Sequence, residues 1–163
     1  MFQFGSDDAI CSWGYPFVLK INDDMDNRLI ITMSLPVQGD KGEDIIETEN
    51  ERIKEMMGNA YPVYPSQDMI YEIIFDDYIA YQVRNESFCS KDDYEIRKGE
   101  YFILFERSRY LDQIQTITDC SQFEDGSYYP GKWTHYGVYA NNHIIDVISH
   151  QEPVIKKPDT RGC

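Results

Sequence analysis

The stretch from Lys132 to Ile148, KWTHYGVYANNHIIDVI, constrains the fold more than any other part of the chain. Two runs of β-forming residues flank Asn141-Asn142, a pair that tolerates the positive φ angles of a tight type I′ turn. A two-residue loop closed there pairs Ala140 with His143, Tyr139 with Ile144, Val138 with Ile145, Gly137 with Asp146 and Tyr136 with Val147. One face of the ribbon then carries Tyr136, Val138, Ile145 and Val147. The other carries Trp133, His135, Tyr139, Ile144, Asp146 and Ile148. Neither face is solvent-like, which predicts a ribbon inside a sheet covered, at least in part, on both sides. The three histidines of the chain, His135, His143 and His150, all fall here.

Earlier segments alternate between strand and turn signals. Phe17 to Ile21 reads as a short strand, residues 22–27 as a turn, and Arg28 to Met33 as the returning strand. The turn holds Asp23, Asp24 and Asp26, but the central Gly and distant Glu of a calcium loop are absent, so a solvated turn is the better reading. Thr48-Glu49-Asn50-Glu51 matches a capping box, and Ile53, Met56 and Met57 give one apolar stripe before Gly58, predicting a helix over residues 49–57. Residues 59–68 carry two prolines and read as a surface linker. Residues 70–75 and 78–83 flank Asp76-Asp77 and predict a second hairpin, with Phe75 opposite Tyr78. Ser90 to Lys98 reads as a charged loop, and Tyr101 to Phe105 as a central strand buried on both faces. Ser108 caps a second expected helix in which Tyr110, Leu111, Ile114 and Ile117 recur at helical spacing. Residues 119–131 form a long loop whose Phe123, Tyr128 and Tyr129 suit interface anchoring. The first fourteen residues read as a turn-rich leading loop, and the tail from about residue 154 as mobile.

The expected class is therefore α+β: a mainly antiparallel twisted sheet, or half-closed barrel, of about seven strands with two short helices. A chain of 163 residues fits a single domain with its own core. No run approaches the length of a membrane span and no export signal is readable, so the expected setting is the cytoplasm, with no membrane partner. Cys11, Cys89, Cys120 and Cys163 are scattered without ligand spacing and read as free thiols, and no metal or other cofactor is expected.

The net charge is −14, and it is uneven: residues 1–100 hold 21 acidic against 9 basic side chains, residues 101–163 only 8 against 6. Such a field disfavours nucleic acid as a direct partner and favours a basic protein, whose association it would steer. The plain alternative is that the acidity serves solubility. Candidate partner-binding carboxylates are Asp23, Asp24 and Asp26; Asp40, Glu43 and Asp44; Glu47, Glu49 and Glu51; and Asp76 and Asp77, with Phe123, Tyr128 and Tyr129 as anchors.

Phosphate loops, GxSxG elbows, HExxH and glycine-rich dinucleotide turns are absent. One catalytic alternative survives: Cys120 as nucleophile, with His135 and Asp146 on one face of the ribbon as base and orienting acid. A His–Asp contact within a sheet is more often structural, and that is the reading taken here.

The segments YEIIFDDYIAYQVRNESF, YFILFERSRYLDQI and HYGVYANNHIIDVIS look like a type of small bacterial protein with which no enzymatic activity is associated. Size, acidity, missing catalytic motifs and the α+β make-up are similar to immunity proteins of polymorphic and contact-dependent toxin systems. That resemblance implies a stoichiometric inhibitor that binds a cognate toxin domain, often a basic nuclease, in the cytoplasm, and it assigns no residue a role. The competing readings are a phage-encoded inhibitor of a nucleic-acid-binding defence protein and the Cys120–His135–Asp146 hydrolase.

Overall fold

The computed structural model describes residues 2–6, 14–42 and 47–158. Cys11, Glu43, Asp44, Cys163 and most of the leading loop lie outside them. In chain order the elements are β1 (Phe17–Asp23), β2 (Leu29–Gln38), α1 (Glu51–Gly58), β3 (Val63–Phe75), β4 (Ala80–Asn85), a 3-10 turn (Glu86–Phe88), β5 (Ile96–Lys98), β6 (Phe102–Arg107), α2 (Arg109–Ile117), β7 (Ser121–Gln122), β8 (Tyr128–Tyr129), β9 (Thr134–Tyr139), β10 (His143–Ser149) and β11 (Val154–Lys156). The class is α+β with antiparallel pairing throughout these strands. The described strands number eleven instead of about seven, and they form three sheets that do not close into a barrel.

The first sheet has the order β1-β2-β3-β11 and the second β4-β10-β9-β6-β5, while β7 and β8 form a small separate ribbon. Period-2 alternation explains how the large sheets meet. Leu29, Ile31, Met33 and Leu35 of β2 point one way with Ile73 and Phe75 of β3, and they pack against Phe102, Tyr136, Val138, Ile145 and Val147 of the second sheet. Each fully buried aliphatic side chain in this layer contributes about 1.5–3 kcal/mol relative to exposure. Phe2 and Phe4, in the expected leading loop, belong to the same core. The Phe2 ring stacks on Phe102 at 4.0 Å, and Gly5 N–H donates to the Phe102 carbonyl.

The β9–β10 ribbon forms in the expected register, with Tyr139 opposite Ile144 and Gly137 opposite Asp146, but neither Asn141 nor Asn142 takes the positive φ of the expected type I′ turn. It lies at the centre of the second sheet, one face on the inter-sheet core. On the other side Ile148 and Trp133 join Tyr110 and Ile114 of α2 in a second cluster, so α2 makes a third layer. Ser108 caps α2 as expected, accepting the Leu111 N–H at 3.0 Å.

Several local expectations are corrected. The hairpin across Asp76-Asp77 does not form: β3 pairs with β2 and β11 in one sheet, β4 with β10 in the other. The two strands find their neighbours in different sheets, and of the linking pair Asp77 takes a positive φ of 53°. The chain therefore crosses between sheets, and Ile79 N–H donates to the Ile148 carbonyl. Residues 63–68, expected as linker, extend β3. Pro65 stands opposite Pro36 next to a register shift, where two residues without N–H groups cost no ladder bond, and Ser34 Oγ donates to the Ser66 carbonyl at 2.6 Å. The first helix is capped by Asn50 instead of Thr48: Asn50 Oδ1 accepts the Arg52 and Ile53 N–H groups. Ile96–Lys98 is a strand on β6, not part of a loop, and Val154–Lys156 pairs with β3 instead of trailing off.

Candidate functional site

Non-local pairing assembles a polar network on the outer face of the second sheet. In the register β4–β10–β9–β6, Gln82 stands opposite Asp146, which stands opposite Gly137 and then Ile103; the flanking rows bring Arg84 and His135 to the same carboxylate. Asp146 Oδ1 accepts His135 Nε2–H at 3.0 Å. Its Oδ2 accepts Arg84 Nη2–H at 2.8 Å and Gln82 Nε2–H at 3.0 Å. At the other ring nitrogen, Ser108 Oγ lies 2.7 Å from His135 Nδ1. Ser108 Oγ also accepts the Leu111 N–H, so it joins the imidazole to the first turn of α2. The Phe105 ring stacks flat on the imidazole at 4.0 Å and Tyr110 meets it edge-on.

Ser108, His135 and Asp146 have the residue types of a hydrolytic triad but not its accessibility. Ser108 is 0 % exposed, and His135 and Asp146 are each 1 % exposed. Ser108 is committed to capping α2, and both imidazole nitrogens are engaged. The expected set of Cys120, His135 and Asp146 is not assembled. Cys120 is a buried free thiol packed with Tyr110, Ile114, Trp133 and Ile148, and the histidine has no nitrogen left for it. Cys89 is likewise a free thiol. Burial works against the charged form of Asp146, but the hydrogen bond from His135, with Arg84 and Gln82, outweighs it and holds the carboxyl below its ordinary value. The network ties four strands and the start of α2 together.

Above this network opens a cleft of about 890 Å³, with Arg84, Glu95, Arg97, Tyr139 and the Glu86–Phe88 turn among its walls. The Arg97 guanidinium stands 5.1 Å over the Tyr139 ring. Phe88 is 87 % exposed at the rim. None of Gln82, Arg84, Glu95 or Arg97 was singled out from the sequence. Their proximity depends on β4–β10 and β5–β6 pairing, which leaves no local signal.

The expected partner-binding carboxylates divide between two ends of the first sheet. Asp23 is opposite Leu29, which is opposite Phe75, so the turn holding Asp24 and Asp26 and the crossing at Asp76-Asp77 leave the sheet at the same end. Tyr78 Oη–H donates to Asp23 Oδ2 at 2.7 Å and locks the two together. Asp24 is spent on its own turn, accepting the Asp26 and Arg28 N–H groups and pairing with the Arg28 side chain. Those bonds, the Arg28 N–H foremost, lower its pKa against a smaller opposing effect of burial. Asp26, Asp76 and Asp77 are exposed. Asp40, Glu47, Glu49 and Glu51 lie toward the opposite end, past the far terminus of β2 and around the start of α1, about 30 Å away at ~3.3 Å per strand residue.

The aromatic candidates separate as well. Phe123 and Tyr129 are exposed on the β7–β8 ribbon, whereas Tyr128 is half-buried with its ring edge-on to Trp133 at 4.9 Å. Ile79, two residues past Asp77, packs against the same Trp133–Ile148 cluster as Tyr128. The strand entry after the Asp76-Asp77 crossing and the aromatic ribbon thus rest on one cluster. Among the described residues no three His, Cys, Asp or Glu side chains converge as a metal site, and no helix is long and apolar enough to cross a membrane.

The fold and this surface define an α+β protein of antiparallel sheets with exposed aspartates at one end of the first sheet and exposed rings on a separate small ribbon. Comparison of the chain with protein-family models, curated proteins and solved structures returned no match.

Proposed function

We propose that this chain is a stoichiometric protein-binding inhibitor of the immunity-protein type, which neutralises a basic toxin domain by masking it. The observation that carries the reading is the gathering of Asp23, Asp26, Asp76 and Asp77 at one end of the first sheet, together with the exposed rings of Phe123 and Tyr129 on the β7–β8 ribbon. Carboxylates at a rim steer a cationic partner, and aromatic anchors supply the affinity that exposed ion pairs do not. The net charge of −14 extends the attraction beyond the contact itself.

The test is affinity capture of the tagged full-length chain from its source cells, followed by association kinetics with the captured protein. The expected partner is a cationic domain bound one to one, whose association slows strongly as salt rises from ~0.05 to ~0.5 M while dissociation changes little. An acidic partner, or an association rate indifferent to salt, overturns the reading.

A further inference from the structure

The cleft on the outer face of the second sheet lies away from the acidic end, and its chemistry is uneven in an informative way. Two of its ion pairs are internal, Arg84 with Asp146 and Arg109 with Asp92. Among the described residues, Glu95 has neither a hydrogen bond nor an ion pair for its carboxylate, although it is half-buried beside β5. Burial, with the Asp146 charge, pushes that carboxyl up against smaller opposing effects of His135 and Arg84. The Tyr139 hydroxyl makes no hydrogen bond among the described residues, and the Arg97 guanidinium, over the Tyr139 ring, has no carboxylate partner there. Phe88 leaves an almost wholly exposed ring at the rim.

We propose that this cleft seats a loop of the cationic partner, with an arginine guanidinium paired to Glu95 and lying against the exposed Phe88 ring. The proposal rests on the reading that the partner is basic. Each uncommitted group then acquires a role. Glu95 accepts the guanidinium hydrogens and ceases to be an unpaired, partly desolvated charge. Arg97 and the Tyr139 hydroxyl donate to carbonyls of the inserted loop, which accounts for cationic groups in a site built for a cation. An aromatic ring favours the flat, weakly hydrated guanidinium over an ammonium. A volume of about 890 Å³ suits several residues of an inserted segment, not one side chain alone. Of the charged side chains on the walls that have no ion pair among the described residues, the acids Glu86, Asp93 and Glu95 outnumber the bases Lys91 and Arg97, within a molecule of net charge −14.

The experiment uses the full chain and defined probes: acetyl-arginine-amide, acetyl-lysine-amide and acetyl-glutamate-amide, titrated by amide NMR. The arginine probe is expected to shift the amides of Phe88, Glu95, Arg97 and Tyr139, more tightly than the lysine probe. Glu95→Gln should weaken it about tenfold or more, as for loss of a charge-assisted hydrogen bond. Glu95→Gln should melt at or above the wild type, since it removes an unpaired charge, and Asp68→Asn, an exposed carboxylate outside the cleft, should leave the titration unchanged. The proposal is overturned if no shifts appear at millimolar probe, if they map elsewhere, if Glu95→Gln binds as the wild type does, or if the glutamate probe binds the cleft more tightly. A captured basic partner that holds Glu95→Gln as tightly as the wild type removes this site and leaves the proposed function standing. An acidic partner removes the function, whatever the arginine titration shows.

Discussion

At Asp146 a carboxylate sits inside a sheet because hydrogen-bond donors reach both of its oxygens: His135 at Oδ1, Arg84 and Gln82 at Oδ2. Folding lowers this carboxyl from its ordinary value near 3.8, so the stabilisation is fully present above about pH 4 and lost as pH falls through the folded value. Urea midpoints measured from pH 7 down to ~2 should fall below about pH 4, and Asp146→Asn should remove part of that fall. At pH 7 the same variant should cost about 2–3 kcal/mol, at the low end for a broken ion pair because Arg84 is 40 % exposed and rehydrates. His135→Ala should lower the melting temperature while leaving partner affinity intact; loss of affinity with unchanged stability would sink the structural reading. A different pressure acts at Gly137, where an added Cβ would lie 2.9 Å from Phe105 Cε2 and 3.2 Å from Tyr139 Cε1. Gly137→Ala should therefore destabilise by about 1–3 kcal/mol in denaturant titrations, and an unchanged midpoint would show that the rings shift freely. That His135 and Asp146 share a face was legible from the Asn-Asn turn, since a closed two-residue loop dictates register. Their partners Ser108, Gln82 and Arg84 were not, because each arrives from a segment far along the chain.

The two helices show how little an apolar stripe says without its surroundings. Both were legible from spacing, α2 with its cap Ser108 and α1 with Thr48 expected where Asn50 is the cap, yet α2 buries Tyr110 and Ile114 against the sheet while α1 buries none of its residues. Ile114→Ala should cost about 2–5 kcal/mol and Ile53→Ala less than about 0.5 kcal/mol, a contrast that one pair of urea titrations resolves. Nearly equal losses would mean that α1 is packed in solution. The β9–β10 turn has a second use: Asn142 accepts the Val18 N–H and donates to the Val18 carbonyl, tying the ribbon to β1. Asn142→Ala should destabilise by about 1–2 kcal/mol and speed hydrogen exchange at Val18 above the other β1 amides. The expected β3–β4 hairpin failed for a reason also at this scale. Adjacent apolar strands read as partners, but each finds longer ladders elsewhere, β3 on β2 and β4 on β10.

Across the whole molecule the acidic groups act through placement more than number. Charge reversal at Asp76 and Asp77 should slow association with a basic partner several-fold while leaving dissociation nearly unchanged; truncation of Phe123 or Tyr129 should do the opposite, raising dissociation at a cost of about 2 kcal/mol or more for a true anchor. Stopped-flow measurement of both rates separates the two, and charge reversal that acts on dissociation alone would move Asp76 and Asp77 out of the rim and into the contact. The sequence by itself determined the α+β class, the central ribbon with its register, both helices and the acidic field, because those follow from short-range periodicity, turn chemistry and composition. Only tertiary structure decided that the strands divide between two sheets, that Phe2 joins the core, and that Asp23 meets Tyr78. It also decided that Glu95 and Arg97 stand over Tyr139. Those outcomes turn on which distant strands pair, and pairing at long range is settled by the competition to bury whole faces, which no local window of residues records.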